Sequence, residues 1–273
     1  MAGALRQCPG KGGKEVTAPI LAVANINKSF GGLKAVQNFH ISLEPNSLRG
    51  LIGPNGAGKT TVFNLLTGVY QPDSGDVTLD GKRLTGLRPY QIAAAGMART
   101  FQNIRLFADL TVLDNVKVAC HLRCSHGMPG AILRTAAHAG EERAVTQHCR
   151  ELLDIFGLLS RQEEQARNLP YGDQRRLEIA RAIATGPRVL LLDEPAAGMN
   201  PQEKKDLREL IRKIRTQFNL TVLLIEHDMG VVMDICEKIT VLDYGQIIAE
   251  GPPAEIQKNP KVIEAYLGAP AAH

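Results

Sequence analysis

Residues 50–68 read GLIGPNGAGKTTVFNLLTG. The stretch reads as a buried strand, a glycine-rich loop and a helix, in that order. Gly53, Gly56 and Gly58 let the backbone turn sharply and bring its N–H groups round an anion, because glycine adopts positive φ and carries no Cβ. Lys59 and Thr60 follow at the spacing of a phosphate-binding loop. Lys59 is expected to reach the β and γ phosphates of a nucleoside triphosphate, and the Thr60 hydroxyl to hold Mg²⁺. A plain glycine turn ahead of a helix is the bland alternative. The preceding strand, the following helix and the Lys-Thr pair together weigh against it.

Moving outward, RVLLLDEP (188–195) is a buried strand ending in two carboxylates. Charges in such a place are costly unless a cation or a reaction uses them. Asp193 is expected to support the Mg²⁺ shell, and Glu194 to orient and deprotonate an attacking water. Pro195 ends the strand. Two more residues are expected at strand ends: Gln102 in RTFQNIRLF and His227 in LLIEHDMG. Alone, such a Gln is ordinarily a surface amide and such a His a structural one. In this company both are expected near a γ-phosphate, Gln102 as a Mg²⁺ or water contact and His227 as a hydrogen-bond donor.

A second anion site lies in LPYGDQRRLEIARA (169–182). Apolar residues at helical spacing (Leu177, Ala180, Ile183, Ala184) follow Pro170, Tyr171, Gly172 and Asp173. The start of that helix offers unpaired N–H groups and the positive end of a dipole. It carries no Lys and no metal ligand. The arginines between 175 and 181 are expected to form a solvated, salt-bridged face rather than a nucleic-acid patch.

The bulk composition is that of a globular chain: 273 residues, 44% hydrophobic, 22% charged, net charge +4. Aromatics are 4% and Trp is absent, which argues against nucleic-acid binding by base stacking. No apolar run reaches the length of a membrane span. Residues 1–18 lack the apolar stretch of a secretory signal and read as a flexible tail. The five cysteines, irregularly spaced, suggest reduced thiols in a cytoplasm. CHLRCSH (120–126) lacks a second ligand pair and reads as a helix and its following loop rather than a metal site. Strand patterns at ILAVANI, FHISLE, LRGLIG and GDVTLD crowd the early part, helical patterns fill 103–168, and strands return at 188–195 and 221–228. KITVLDYGQIIAEG (238–251) reads as a closing hairpin about Tyr244 and Gly245. The alternation predicts an α/β protein with a buried sheet.

These motifs, in this order, resemble the nucleotide-binding subunit of ABC transporters over roughly residues 19–268. Gly53, Pro54, Asn55, Gly56, Ala57, Gly58, Lys59, Thr60 and Thr61 match Walker A, and LLLDEP matches Walker B. Gln102 matches the Q-loop, His227 the switch, and Leu169, Pro170, Tyr171, Gly172 and Asp173 the signature. The resemblance implies a P-loop NTPase fold of ABC type: a mixed sheet core with an antiparallel β subdomain and an inserted α-helical subdomain. The core and β subdomain would span 19–102 and 169–251, the helical subdomain 103–168, a C-terminal segment 252–268, and a tail 269–273. Phe30, in NKSFGG, matches the aromatic that stacks on adenine; a core Phe is the plain alternative.

The resemblance also implies why there are two anion sites. In the family two such domains pack head to tail, and each ATP lies between one domain's P-loop and the other's signature helix. Here the usual Leu-Ser-Gly-Gly-Gln is replaced by Leu-Pro-Tyr-Gly-Asp, which removes a hydroxyl and an N–H and adds a charge. The D-loop offers Asn200 in place of the usual Asp. LPYGDQRRLEIARAIAT, DEPAAGMNP, RTFQNIRLF and NPKVIEAYLG resemble the larger ATP-binding subunit of bacterial branched-chain amino acid importers, the Liv type. That implies a second, related or identical nucleotide-binding subunit, two membrane permeases and a periplasmic solute-binding protein. It also implies ATP and Mg²⁺ as ligands, no nucleic acid, and peripheral attachment at the cytoplasmic face of the inner membrane. An importer of urea, amides or other amino acids would use the same motifs. A soluble ABC ATPase acting on ribosomes or DNA usually has two motif sets or a long coiled coil, and this chain has one set and no heptad run.

Overall fold

Period-two patterning along β3 (Leu48–Ile52), β7 (Val189–Asp193) and β8 (Thr221–Ile225) sends consecutive side chains to opposite faces, and every residue of all three strands is buried. The computed structural model describes residues 18–120 and 136–267. All but residue 18 of the expected N-terminal tail, positions 121–126 of the CHLRCSH stretch and the 269–273 tail lie outside these residues. The three strands join β6 (Met97–Arg99), β9 (Lys238–Asp243) and β10 (Gln246–Gly251) in a sheet of order β10-β9-β3-β8-β7-β6. Pairing is parallel except for β10, which returns antiparallel on β9 through Tyr244 and Gly245.

Leu190, Leu192, Val222 and Leu224 belong to one apolar cluster, whereas Val189, Leu191, Leu223 and Ile225 belong to the other. The second cluster is completed by a separate antiparallel sheet: β1 (Leu21–Phe30), β2 (Leu33–Leu43), β4 (Ser74–Leu79) and β5 (Lys82–Arg83), in the order β2-β1-β4-β5. Phe39, Ile41 and Leu43 alternate into it from β2, and Val62, Phe63 and Leu66 from α1 (Lys59–Leu66). The short helix α2 (Pro89–Ala94) adds Ile92. The first cluster is filled by α3 (Val112–Cys120), α4 (Ala136–Ile155), α5 (Tyr171–Ala184) and α6 (Pro201–Gln217). Both α3 and α4 pack against α5. Each fully buried Leu, Ile or Val contributes about 1.5–3 kcal/mol relative to exposure.

Helix α7 (Met229–Ile235) follows β8, and the chain closes with α8 (Pro253–Ile256) and α9 (Pro260–Leu267). Because β3, β6, β7 and β8 are parallel, their C-terminal ends share one edge of the sheet. Crevices at that edge are where open α/β sheets hold ligands. No helix among the described residues is long and apolar enough to cross a membrane.

Candidate active site

The glycine loop leaves β3 at Gly53, whose φ is 154°, and enters α1 through Gly58 at φ 102°. A Cβ on Gly53 would lie 2.0 Å from the Leu242 carbonyl oxygen, so close approach to β9 demands glycine there. Lys59 is the first residue of α1, and its Nζ turns back into the loop to donate to the carbonyls of Gly53 (2.7 Å) and Pro54 (2.8 Å). Burial lowers the Lys59 pKa, and the charges of Glu194 and Asp193 oppose that shift. Thr60 and Thr61 sit in the first helical turn, where backbone N–H groups have no intrahelical acceptor; Thr60 is exposed.

Asp193 ends β7 and Glu194 follows it, and the two carboxylates face different surroundings. Asp193 is 3% exposed; its Oδ2 accepts from Arg99 Nη2 at 2.7 Å. Arg99 also donates to Asn64 Oδ1 on α1 (2.6 Å), and its guanidinium lies over the rings of Phe63 and Phe101. Glu194 has φ 47°, an uncommon conformation for a residue other than glycine. There its Oε2 accepts from Gln102 Nε2 at 3.0 Å and faces His227 Nδ1 at 3.6 Å. Two residues from distant parts of the chain thus converge on one carboxylate. Gln102 does so from a bend: β6 ends at Arg99, so Gln102 lies beyond the strand rather than closing it. Glu226 shapes the neighbouring turn. Its buried carboxylate accepts from the backbone N–H groups of Ala196 (2.7 Å), His227 (3.1 Å) and Asp228 (3.3 Å). Burial nevertheless raises its pKa.

The stretch expected to form the second anion site is the start of α5, with Pro170 as its N-cap. Asp173, in the first turn, lies 3.7 Å from Arg161 and 3.9 Å from Arg176, so two guanidinium groups balance its charge. Leu169 and Gly172 are buried; a Cβ on Gly172 would come within 3.0 Å of Glu203 Oε1. Tyr171 is half-exposed against Gly198. Asn200 caps α6: its Oδ1 accepts from the Glu203 N–H (3.0 Å) while Glu203 accepts from the Asn200 N–H (2.8 Å). Its side-chain N–H₂ takes no part in that box. Phe30 ends β1 and is 42% exposed, with its ring edge-on to Tyr70 at 5.1 Å.

The arginines of α5 also depart from expectation. They do not form a single solvated face: Arg175 is wholly buried, paired with buried Glu178 at 2.8 Å. The reason is helical geometry, since positions 175 and 178 share the face that meets the Q-loop backbone. Arg99 likewise escaped the sequence reading. Nothing in its own stretch marks Arg99, because its partner Asp193 lies 94 residues away along the chain. Beside these residues a groove of about 540 Å³ opens between the sheet and the helices, lined by Arg99, Phe101, Arg105, Phe107, Val118 and Arg181.

Among the described residues, no group of three or more His, Cys, Asp or Glu side chains is placed to hold a metal ion. Cys120 instead sits 3.4 Å from Cys149 Sγ in the helical layer. The Thr60 hydroxyl, the Gln102 amide oxygen and the remaining oxygen of Asp193 are hard donors. They fit Mg²⁺, which takes few protein ligands and shares its shell with water and phosphates.

Comparison with known proteins identifies the family and the fold. A family pattern described as "ABC transporter" matches residues 36–197, and a second, described as "Branched-chain amino acid ATP-binding cassette transporter", matches residues 246–272. The high-affinity branched-chain amino acid transport ATP-binding protein LivG of Salmonella typhimurium is 49% identical over 253 residues, covering 93% of this chain and 99% of that protein. The corresponding protein BraF of Pseudomonas aeruginosa is 47% identical over the same lengths. The solved ADP conformation of an ATP-binding cassette of an ABC transporter superposes with a TM-score of 0.80 at 31% identity, covering 93% of this chain and all of the other.

Proposed function

Because this chain belongs to the ABC transporter family of ATPases, we propose that it powers a branched-chain amino acid importer, with its ATP held between two nucleotide-binding subunits. The observation that carries the catalytic part is the meeting of Gln102 and His227 on Glu194, beside the glycine loop. In this reading the amides of residues 53–61 and Lys59 hold the β and γ phosphates, and Phe30 stacks on adenine. Glu194 accepts the proton of the attacking water, Gln102 orients that water, and His227 donates to the γ-phosphate. Thr60, Asp193 and Gln102 would hold Mg²⁺, which would neutralise phosphate charge.

In this reading the start of α5 serves the nucleotide of a second subunit. Leu169, Pro170, Tyr171, Gly172 and Asp173 form that half of the site, with Asn200 reaching across the interface. The γ-phosphate then bridges two chains, and its hydrolysis loosens them. Closure drives transport only if the closed pair binds ATP better than the open one. The groove lined by Phe101, Arg105 and Phe107 adjoins Gln102 in sequence and takes a cytoplasmic helix of a permease. The subunit is thereby held peripherally at the cytoplasmic face of the inner membrane, with two permeases and a periplasmic solute-binding protein completing the complex.

The Glu194→Gln variant tests this. With Mg²⁺ and ATP it should run as a dimer on size exclusion and turn over no ATP. Normal turnover would remove Glu194 from its role; a monomer at saturating ATP would remove the shared site. Co-purification with permeases is expected, and recovery with ribosomes or DNA instead would overturn the transport assignment.

A further inference from the structure

A fully buried arginine is costly unless its donors find acceptors; in Arg175 both terminal nitrogens do, and Nε alone is left without one. Arg175 has 0% exposure and Glu178 has 2%. Both are on the signature helix, yet most of their hydrogen bonds leave it. Arg175 Nη1 donates to the Phe101 carbonyl (2.6 Å), and Nη2 donates to the Gln102 carbonyl (2.8 Å) and to the Tyr171 hydroxyl (3.2 Å). Glu178 Oε1 accepts from the N–H groups of Phe101 (3.3 Å) and Arg105 (3.4 Å). The pair thus grips both the carbonyl and the amide sides of residues 101–105. This is loop backbone outside any strand or helix, so the pair supplies partners that no ladder or helical turn provides.

The other ends of this clamp touch the two halves of the proposed ATP site. Tyr171, whose hydroxyl meets Arg175, lies in the first turn of α5 against Gly198 of the D-loop. Gln102, whose carbonyl meets Arg175, sends its side chain to Glu194. The geometry points to Arg175 as a positioning residue for Gln102. Through it the state of the signature turn, which faces a second subunit's nucleotide, sets how Gln102 addresses Glu194 in its own chain. The inference rests on the shared-site reading above and adds a direction to it: each subunit's hydrolysis answers to whether its signature turn is engaged. A buried ion pair is a poor source of net stability, and here its hydrogen bonds instead fix the backbone of residues 101–105. Lysine cannot replace it, since a single ammonium cannot span two carbonyls and a hydroxyl as the guanidinium fork does.

The test is a double-mutant cycle on the full-length chain, read as kcat and KM for ATP. Arg175→Lys should lower kcat about tenfold, the scale of one lost charge-assisted hydrogen bond, with KM changed less than about twofold. Tyr171→Phe removes only a hydroxyl from a half-exposed ring, so its folding is secure, and it should lower kcat about threefold. In a Gln102→Ala background both substitutions should cost nothing further, because the group they position is gone. Equal losses in the two backgrounds would overturn the inference and make the pair a support of the helical layer alone. If Arg175→Lys does not fold, the Tyr171→Phe cycle decides by the same criterion. The shared site is judged separately, by the ATP-dependent dimer of Glu194→Gln. Loss of that dimer sinks the two-subunit reading, whereas additive cycles with the dimer intact sink only the clamp.

Discussion

Replacing Arg99 by methionine isolates the contact that holds Asp193. The two side chains are 6% and 3% exposed and meet at 2.7 Å, so the substitution leaves a buried carboxylate without its counter-charge. Removing one partner of such a pair costs about 3–5 kcal/mol. The Asn64 hydrogen bond goes as well, while methionine keeps the apolar contacts with Phe63 and Phe101. One term works the other way: Arg99 Nε is buried without an acceptor, and its removal returns about 1 kcal/mol or more. The net loss should therefore fall near the low end, about 3 kcal/mol. For a chain of this size each kcal/mol moves the melting temperature by about 2–4 °C, so a fall of roughly 6–12 °C is expected. Differential scanning calorimetry without Mg²⁺ or nucleotide measures it. Adding Asp193→Asn removes the stranded charge and should restore about half of the loss. A single variant that melts within about 2 °C of the parent, or a second substitution that restores nothing, refutes the reasoning.

Other outcomes follow from single contacts. Gly53→Ala should cost more than about 3 kcal/mol, because its Cβ would strike the Leu242 carbonyl at 2.0 Å. Gly56→Ala, at φ 81° with open space around it, should cost only about 1–2 kcal/mol of backbone strain. Chemical denaturation distinguishes the two, and equal losses would mean that strain alone governs the loop. Cys236, whose thiol burial pushes up to about 12, should resist alkylation in the folded chain at about pH 8 and react once it unfolds. Mass spectrometry of the labelled protein checks this, and rapid native labelling would show that the helix after β8 opens.

Much of the site was legible because phosphate chemistry constrains neighbours in sequence. A loop that wraps a phosphate needs glycines and a lysine within a few positions, so Gly53 to Thr61 declare themselves. Asp193 and Glu194 are legible for a related reason, since two carboxylates closing an apolar run demand an explanation. Arg175 and Arg99 were hidden, and Arg175 was misread, because an arginine in a helix or strand is ordinarily solvated. What buries these two is the arrival of residues 101–102 on one and residue 193 on the other. Asp173 shows the same limit: its charge was visible, but its balance by Arg161 and Arg176 was not.

By itself the chain's order of residues determined its local elements and the chemistry each could offer: where backbone amides could gather, which strands were buried on both faces, and which side chains could move a proton. It could do so because hydrogen-bonding capacity, backbone freedom and hydrophobic period are properties of short stretches. Only the tertiary structure decided that Gln102 and His227 meet on Glu194, and that a buried arginine of one helix grips the loop leading there. Those facts depend on how parallel strands stack their ends along one edge and how helices cover the faces between them. That packing is settled by the sum of many apolar contacts, to which no single stretch holds the key.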